Sequence, residues 1–131
     1  MLTETNAKRL KKWEELEVAT QLSALPFNTS LAGYSMLIEA ILISLRLNKF
    51  SVNMSSDVYV EIAKSRNISV NSVEKAIKNA IDSVNYSAIS MKDFVIPNML
   101  IKNALLDGKP KHFITAICQV IRHIKIKQDL I

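Results

Sequence analysis

Glycine and proline are scarce, with two and three respectively in 131 residues. Hairpins and barrels consume glycine at positive-φ turn positions, so this scarcity excludes a turn-rich β architecture. It favours long helices joined by short polar connections. A single cysteine, Cys118, excludes an internal disulfide and agrees with a reducing compartment. Its place in an apolar helical stripe marks it as a buried structural thiol. No long hydrophobic run exists: the most apolar stretch, Met36–Leu45, contains Glu39, and crossing a bilayer takes about twenty apolar residues. The N-terminus is charged and lacks an apolar run before a small-residue cleavage site, so no export signal is expected and the chain is placed in the cytoplasm.

The same scarcities bear on chemistry. With Gly33 and Gly108 alone, a glycine-rich phosphate cradle is excluded. His112 and His123 lie on one predicted helix with no second cysteine and no carboxylate at a ligand spacing, whereas a metal site needs three or four convergent ligands. No Ser, His and acid set and no paired carboxylate stands out. The expectation is a protein that is not an enzyme and has no catalytic residue, metal, cofactor or small-molecule ligand.

What is present is a half-hydrophobic chain with a basic surplus. Hydrophobic residues make up 49% and charged residues 22%, which reads as soluble and globular, and net charge is +5. Residues 1–17 carry four basic and four acidic side chains and cancel; from Glu61 onward there are eleven basic against six acidic. The excess in the second half suggests an anionic partner there.

Hydrophobic periodicity then gives the elements. Thr5–Ala24 reads as a helix with a narrow stripe, Leu10, Trp13 and Leu16, suited to a domain edge or a second chain. Pro26 stops it, and the boundary is placed at the following connector, giving residues 1–28 as an N-terminal helix and connector and 29–131 as the domain proper. Leu31–Leu47 is apolar nearly all round and therefore central. Asn48–Ser55 is a polar connector with room for a helical turn, and Ser56-Asp57 offers an N-cap. Val58, Tyr59, Ile62 and Ala63 share a face before Asn67-Ile68-Ser69 breaks the pattern. Ser69 caps the next helix, whose stripe is Val70, Val73, Ala76, Ile77, Ala80, Ile81 and Val84. Tyr86–Ile96 is ambiguous. Pro97 starts a helix to about Leu106, and Asp107-Gly108-Lys109-Pro110 turns into a last helix ending near Lys127.

Val58–Ile81 carries the functional signal. A helix-turn-helix needs two helices joined by about three residues, a small residue where they touch, and a sharp turn four residues later. Ala63 is the small residue, and Asn67 is the best substitute for Gly where φ is positive. Ile68 anchors the turn and Val73 holds the second helix on the first. A plain helical hairpin shares these features, so the outward face decides. Lys75 and Lys78 reach bases or phosphates, and Asn71 and Asn79 suit adenine edges. Ser72, Ser69 and Lys64 complete the candidate DNA-binding set. Glu74 is the odd member, because a carboxylate facing phosphate repels it unless it accepts from a cytosine amino group or orients a lysine.

The chain also resembles a known family. Ala32-Gly33-Tyr34, Ile38-Glu39-Ala40-Ile41, Glu61-Ile62-Ala63-Lys64, the run Val73-Glu74-Lys75-Ala76-Ile77-Lys78-Asn79-Ala80-Ile81, and Gly108-Lys109-Pro110 are collinear with the C-terminal effector domain of stage zero sporulation protein A, over about residues 30–127. The resemblance implies an all-α fold of about six helices with an embedded helix-turn-helix, here with an extra N-terminal helix. It implies a bacterial transcription regulator that binds short, often tandem promoter elements in double-stranded DNA. Glu74, Lys75, Lys78 and Asn79 correspond to the family's contacting surface, where the family has arginine at Lys75 and Lys78 and histidine at Asn79. Arginine grips guanine with a rigid fork that lysine lacks, so a different target or affinity is implied.

The family carries a receiver domain upstream, whereas about thirty residues precede the matching region here, so control by phosphorylation within the chain is not expected. The family's last helix contributes to head-to-tail dimers, which implies a homodimer through residues of about 111–127, centred on the Phe113–Ile124 stripe; core burial of that stripe is the alternative. The N-terminal helix is a second candidate for self-association. The rival reading of the whole chain is a protein-interaction module that pairs with and modulates a related regulator. A membrane binder is disfavoured, since the basic residues are not gathered opposite one apolar face.

Overall fold

Helix α2 (Ala32–Arg46) forms the axis about which the chain packs. The computed structural model describes residues 4–47, 52–90 and 98–128. Among the described residues, α1 (Glu4–Ser23), α3 (Val60–Arg66), α4 (Val70–Ser90) and α6 (Pro110–Lys127) pack on that axis, and α5 (Met99–Asp107) packs on α6 and α4. The protein is all-α, and no strand occurs among the described residues. None of its described helices is long and apolar enough to cross a membrane.

The apolar circumference of α2 explains its centrality. Leu37, Ala40 and Ile41 are fully buried, and α4, α6 and α1 all pack on this helix. Its first turn approaches α4 so closely that a Cβ built on Gly33 would lie 1.8 Å from the backbone oxygen of Ala76. Hydrogen would be the largest group that fits there.

Helix α1 departs from its sequence reading. Leu16 of the expected stripe is 61% exposed, while Val18 and Leu22 are fully buried in the core and Trp13 packs against it. The buried face of α1 also carries Glu14, whose carboxylate pairs with Lys125 of α6. A partnered ion pair lets a polar residue occupy a face that an apolar pattern assigns elsewhere. The connector that follows is docked too, with Phe27 edge-on to Phe113 at 5.9 Å and tilted on Tyr34 at 5.3 Å between ring centroids.

Glu14→Gln leaves the Lys125 ammonium without its counter-charge. Removing one partner of a buried pair costs several kcal/mol; the long lysine stem can still move its head part of the way toward water, so about 2 kcal/mol is expected. Urea unfolding of the variant measures it, and the loss should shrink when Lys125→Met is added.

Most of the apolar stripe of helix α6 is turned into the core. Phe113, Ile114, Ile117 and Ile121 are fully buried within the chain, whereas Val120 and Ile124 of the same stripe are half-buried. The stripe is covered because α6 packs against α1, α2 and α5. Two of its basic residues are also engaged internally: Lys125 with Glu14, and Arg122, which donates to the Ser44 carbonyl at 3.1 Å. Cys118 is buried beside the Ile41 carbonyl, and burial pushes its thiol up to about 11, so it carries almost no thiolate at neutral pH.

Helix ends follow their side-chain chemistry. Asn98 caps α5 by accepting from the Leu100 and Ile101 amides, one residue beyond the expected start at Pro97, which lies outside the described residues. Gly108 closes α5 at φ +74°, and Pro110 opens α6.

Candidate nucleic-acid interface

The segment before α3 begins earlier than Ser56-Asp57 suggests. A π-helical turn, Met54–Tyr59, runs directly into α3. Its cap is Asn53, whose side chain accepts from the Ser56 amide at 3.2 Å, while Asp57 accepts the Asn53 amide at 2.8 Å. These reciprocal bonds satisfy two amides that the start of a helix leaves open. The wider π turn displaces the expected cap by three residues.

Asn67 ends α3 in the left-handed region at φ 55°, ψ 47°. The Ile68 amide reaches back to the Ala63 carbonyl at 3.0 Å, and the Asn67 amide points to the Lys64 carbonyl at 3.4 Å. This pair is the Schellman pattern of a helix closed by one left-handed residue. Only glycine, asparagine and a few others take that conformation without strain. Asn67→Gly should therefore leave the melting temperature nearly unchanged, whereas Asn67→Val should cost about 1–2 kcal/mol by chemical denaturation.

Ser69 caps α4, its hydroxyl accepting from the Ser72 amide at 3.0 Å and lying 2.8 Å from the Ser72 hydroxyl. Ala63 and Val73 are buried where α3 meets α4. Ile68 is 37% exposed, so it anchors the turn through only part of its surface.

A second tether holds α3 on α2. Arg66 reaches both carboxylate oxygens of Glu39, at 3.0 and 3.3 Å, and the Ser35 hydroxyl at 3.0 Å. This forked contact fixes the turn relative to the central helix. Hydrophobic periodicity does not foretell it, although Glu39, the one acidic residue in apolar α2, was its signal.

On α4 the buried stripe is Val73, Ile77, Ala80, Ile81 and Val84. Asn71, Ser72, Glu74, Lys75, Lys78 and Asn79 are all exposed, and helical spacing gathers them on the side away from that stripe. Lys64 is exposed on α3. Lys78 lies 3.5 Å from Asp82 one turn on, a half-exposed pair of the kind that contributes little and readily exchanges for another anion. The Ser69 and Ser72 hydroxyls are occupied with each other and serve the helix start. Glu74 faces a groove shared with Tyr59; burial, with the Glu74 charge second, pushes the Tyr59 hydroxyl up to about 12 and keeps it neutral.

The described residues contain no group of three or more His, Cys, Asp or Glu placed to hold a metal. His112 pairs with Asp107 at the start of α6, a two-residue contact at the surface.

A family model described as sporulation initiation factor Spo0A C terminal matches residues 18–121. No curated protein and no solved structure matches the chain.

Proposed function

The chain belongs to the sporulation initiation factor Spo0A C-terminal family, and from that membership we propose that it is a sequence-specific DNA-binding transcription regulator whose helix α4 enters the major groove. One observation carries this reading: the lysine- and asparagine-bearing side of α4 is open to solvent from Asn71 to Asn79. An α-helix fits the major groove, and side chains on its outer face meet base edges there.

The roles divide by chemistry. Asn71 and Asn79 offer paired donor and acceptor groups to adenine. Lys75 and Lys78 contact bases or phosphates. Lys64 reaches the flanking phosphates, and Glu74 accepts from a cytosine amino group or steers a lysine. Ser69 and Ser72 act mainly by fixing where α4 begins. The close approach of Gly33 to α4 and the Arg66–Glu39 fork make this a rigid platform. Because Val18 and Leu22 of α1 share the core, this helix buttresses the helices that carry the proposed interface.

Titrating a mixed pool of short duplexes over a salt series tests the proposal. The logarithm of affinity should fall linearly with the logarithm of salt concentration, with a slope of about −0.9 for each phosphate neutralised. Salt-independent binding, or none at low salt, refutes it.

Leu16, exposed on α1, keeps a protein-interaction module as the second reading. If that reading holds, Leu16→Glu dissociates a complex seen by size-exclusion chromatography; a wild-type monomer at high concentration disfavours self-association through α1.

A further inference from the structure

Beside α4 lies a groove of about 370 Å³ whose walls come from three elements. Asn53, Met54, Ser55 and Tyr59 come from the π turn, Glu74 from α4, and Lys109, Pro110 and Lys111 from the start of α6. Lys109 and Lys111 are exposed, and among the described residues neither ammonium has an ion-pair partner. The groove thus joins the outward side of α4 to a pair of unneutralised cations that are distant in sequence but adjacent in the fold. We propose that Lys109 and Lys111 are phosphate-contacting residues, which receive the DNA backbone along the edge of the major groove that α4 occupies. This inference rests on the reading above that α4 enters duplex DNA.

Three considerations converge. A helix seated in the major groove is flanked by the two sugar–phosphate strands, so an element bordering it on one side meets a phosphate row. The groove holds two positive charges against the single negative charge of Glu74, so its balance suits an anion. The arrangement also gives Glu74 a setting. With two lysines across the groove, the carboxylate is not left alone against the backbone, and it can be directed at a base while the lysines take the phosphates. Neither lysine reaches the buried face of α6, so their loss leaves the core as it is.

The test uses the full chain, with Lys109→Gln and Lys111→Gln combined, and a Lys109→Arg plus Lys111→Arg control. Circular dichroism and the melting temperature should match the wild type, because both side chains are exposed. Affinity for the preferred duplex is measured across a salt series and on a panel of single-base variants. The glutamine variant should bind about tenfold more weakly at moderate salt, and its log–log slope should shrink by about 1.8, the value for two lost phosphate contacts. Its ranking of duplex sequences should be unchanged, and the arginine control should retain the wild-type slope. A wild-type slope in the glutamine variant overturns the inference alone, as does a changed sequence ranking, which would assign the lysines to bases. Failure of the wild-type chain to bind any duplex overturns the DNA reading itself, and the inference with it.

Discussion

Gly33→Ala is expected to abolish the native fold or to cost at least about 4 kcal/mol, more than core overpacking usually costs. The sign is opposite to local propensity. Gly33 lies inside α2, where alanine is favoured over glycine by about 1 kcal/mol. The new Cβ, however, would sit 1.8 Å from the Ala76 oxygen, 2.4 Å from its carbon and 3.1 Å from the Ile77 nitrogen. These are backbone atoms of α4, which cannot rotate away as a side chain could, so the helices must separate. Separation opens the packing of α4 on α2 and tilts the proposed reading helix. Gly108→Ala is the contrast: a Cβ there meets nothing within 4 Å, and only the left-handed backbone at φ +74° resists it. About 1 kcal/mol is expected. Denaturant titration of both variants checks the pair; a Gly33→Ala protein as stable as wild type would show that the α2–α4 approach is not as close as described.

Lys75→Ala combined with Lys78→Ala should weaken duplex binding by about a hundredfold while leaving stability within about 0.5 kcal/mol. Both side chains are exposed on α4, and the one ion pair lost, Lys78 with Asp82, is a solvated pair of little worth. Each lysine removed from a base or phosphate contact costs roughly 1–2 kcal/mol at the interface, and the two act on neighbouring nucleotides. Asn79→Ala should act differently, weakening preferred duplexes more than random ones, because an adenine contact carries sequence information and a phosphate contact does not. Fluorescence anisotropy with preferred and scrambled duplexes separates the two behaviours.

Much of this fold was legible because its signals are local. The all-round apolarity of Leu31–Leu47 foretold a central helix, and Asn67 foretold a left-handed turn because few other residues tolerate one. Gly108 and Pro110 bracketed the last turn for the same kind of reason. What escaped was either non-local or irregular. Glu14 and Lys125 lie 111 residues apart, and no periodicity links them. The helix start at Asn53 was misplaced because a π turn shifts the expected offset. Gly33 was visible as part of a resemblance, but the Ala76 backbone that demands a hydrogen there was not. The ambiguous stretch Tyr86–Ile96 divides in two: α4 continues to Ser90, and residues 91–96 lie outside those described. On α4, helical spacing foretold that Asn71, Lys75, Lys78 and Asn79 would be exposed. Lys109 and Lys111 stood apart from them in sequence and joined the same groove only through folding.

Selecting bound duplexes from a random-sequence DNA pool with the intact chain bears most directly on whether the outward side of α4 reads DNA. Successive rounds should enrich one short motif, and its consensus should degrade when the selection is repeated with Asn79→Ala. A pool that stays random after several rounds, with a folded protein, would contradict the account.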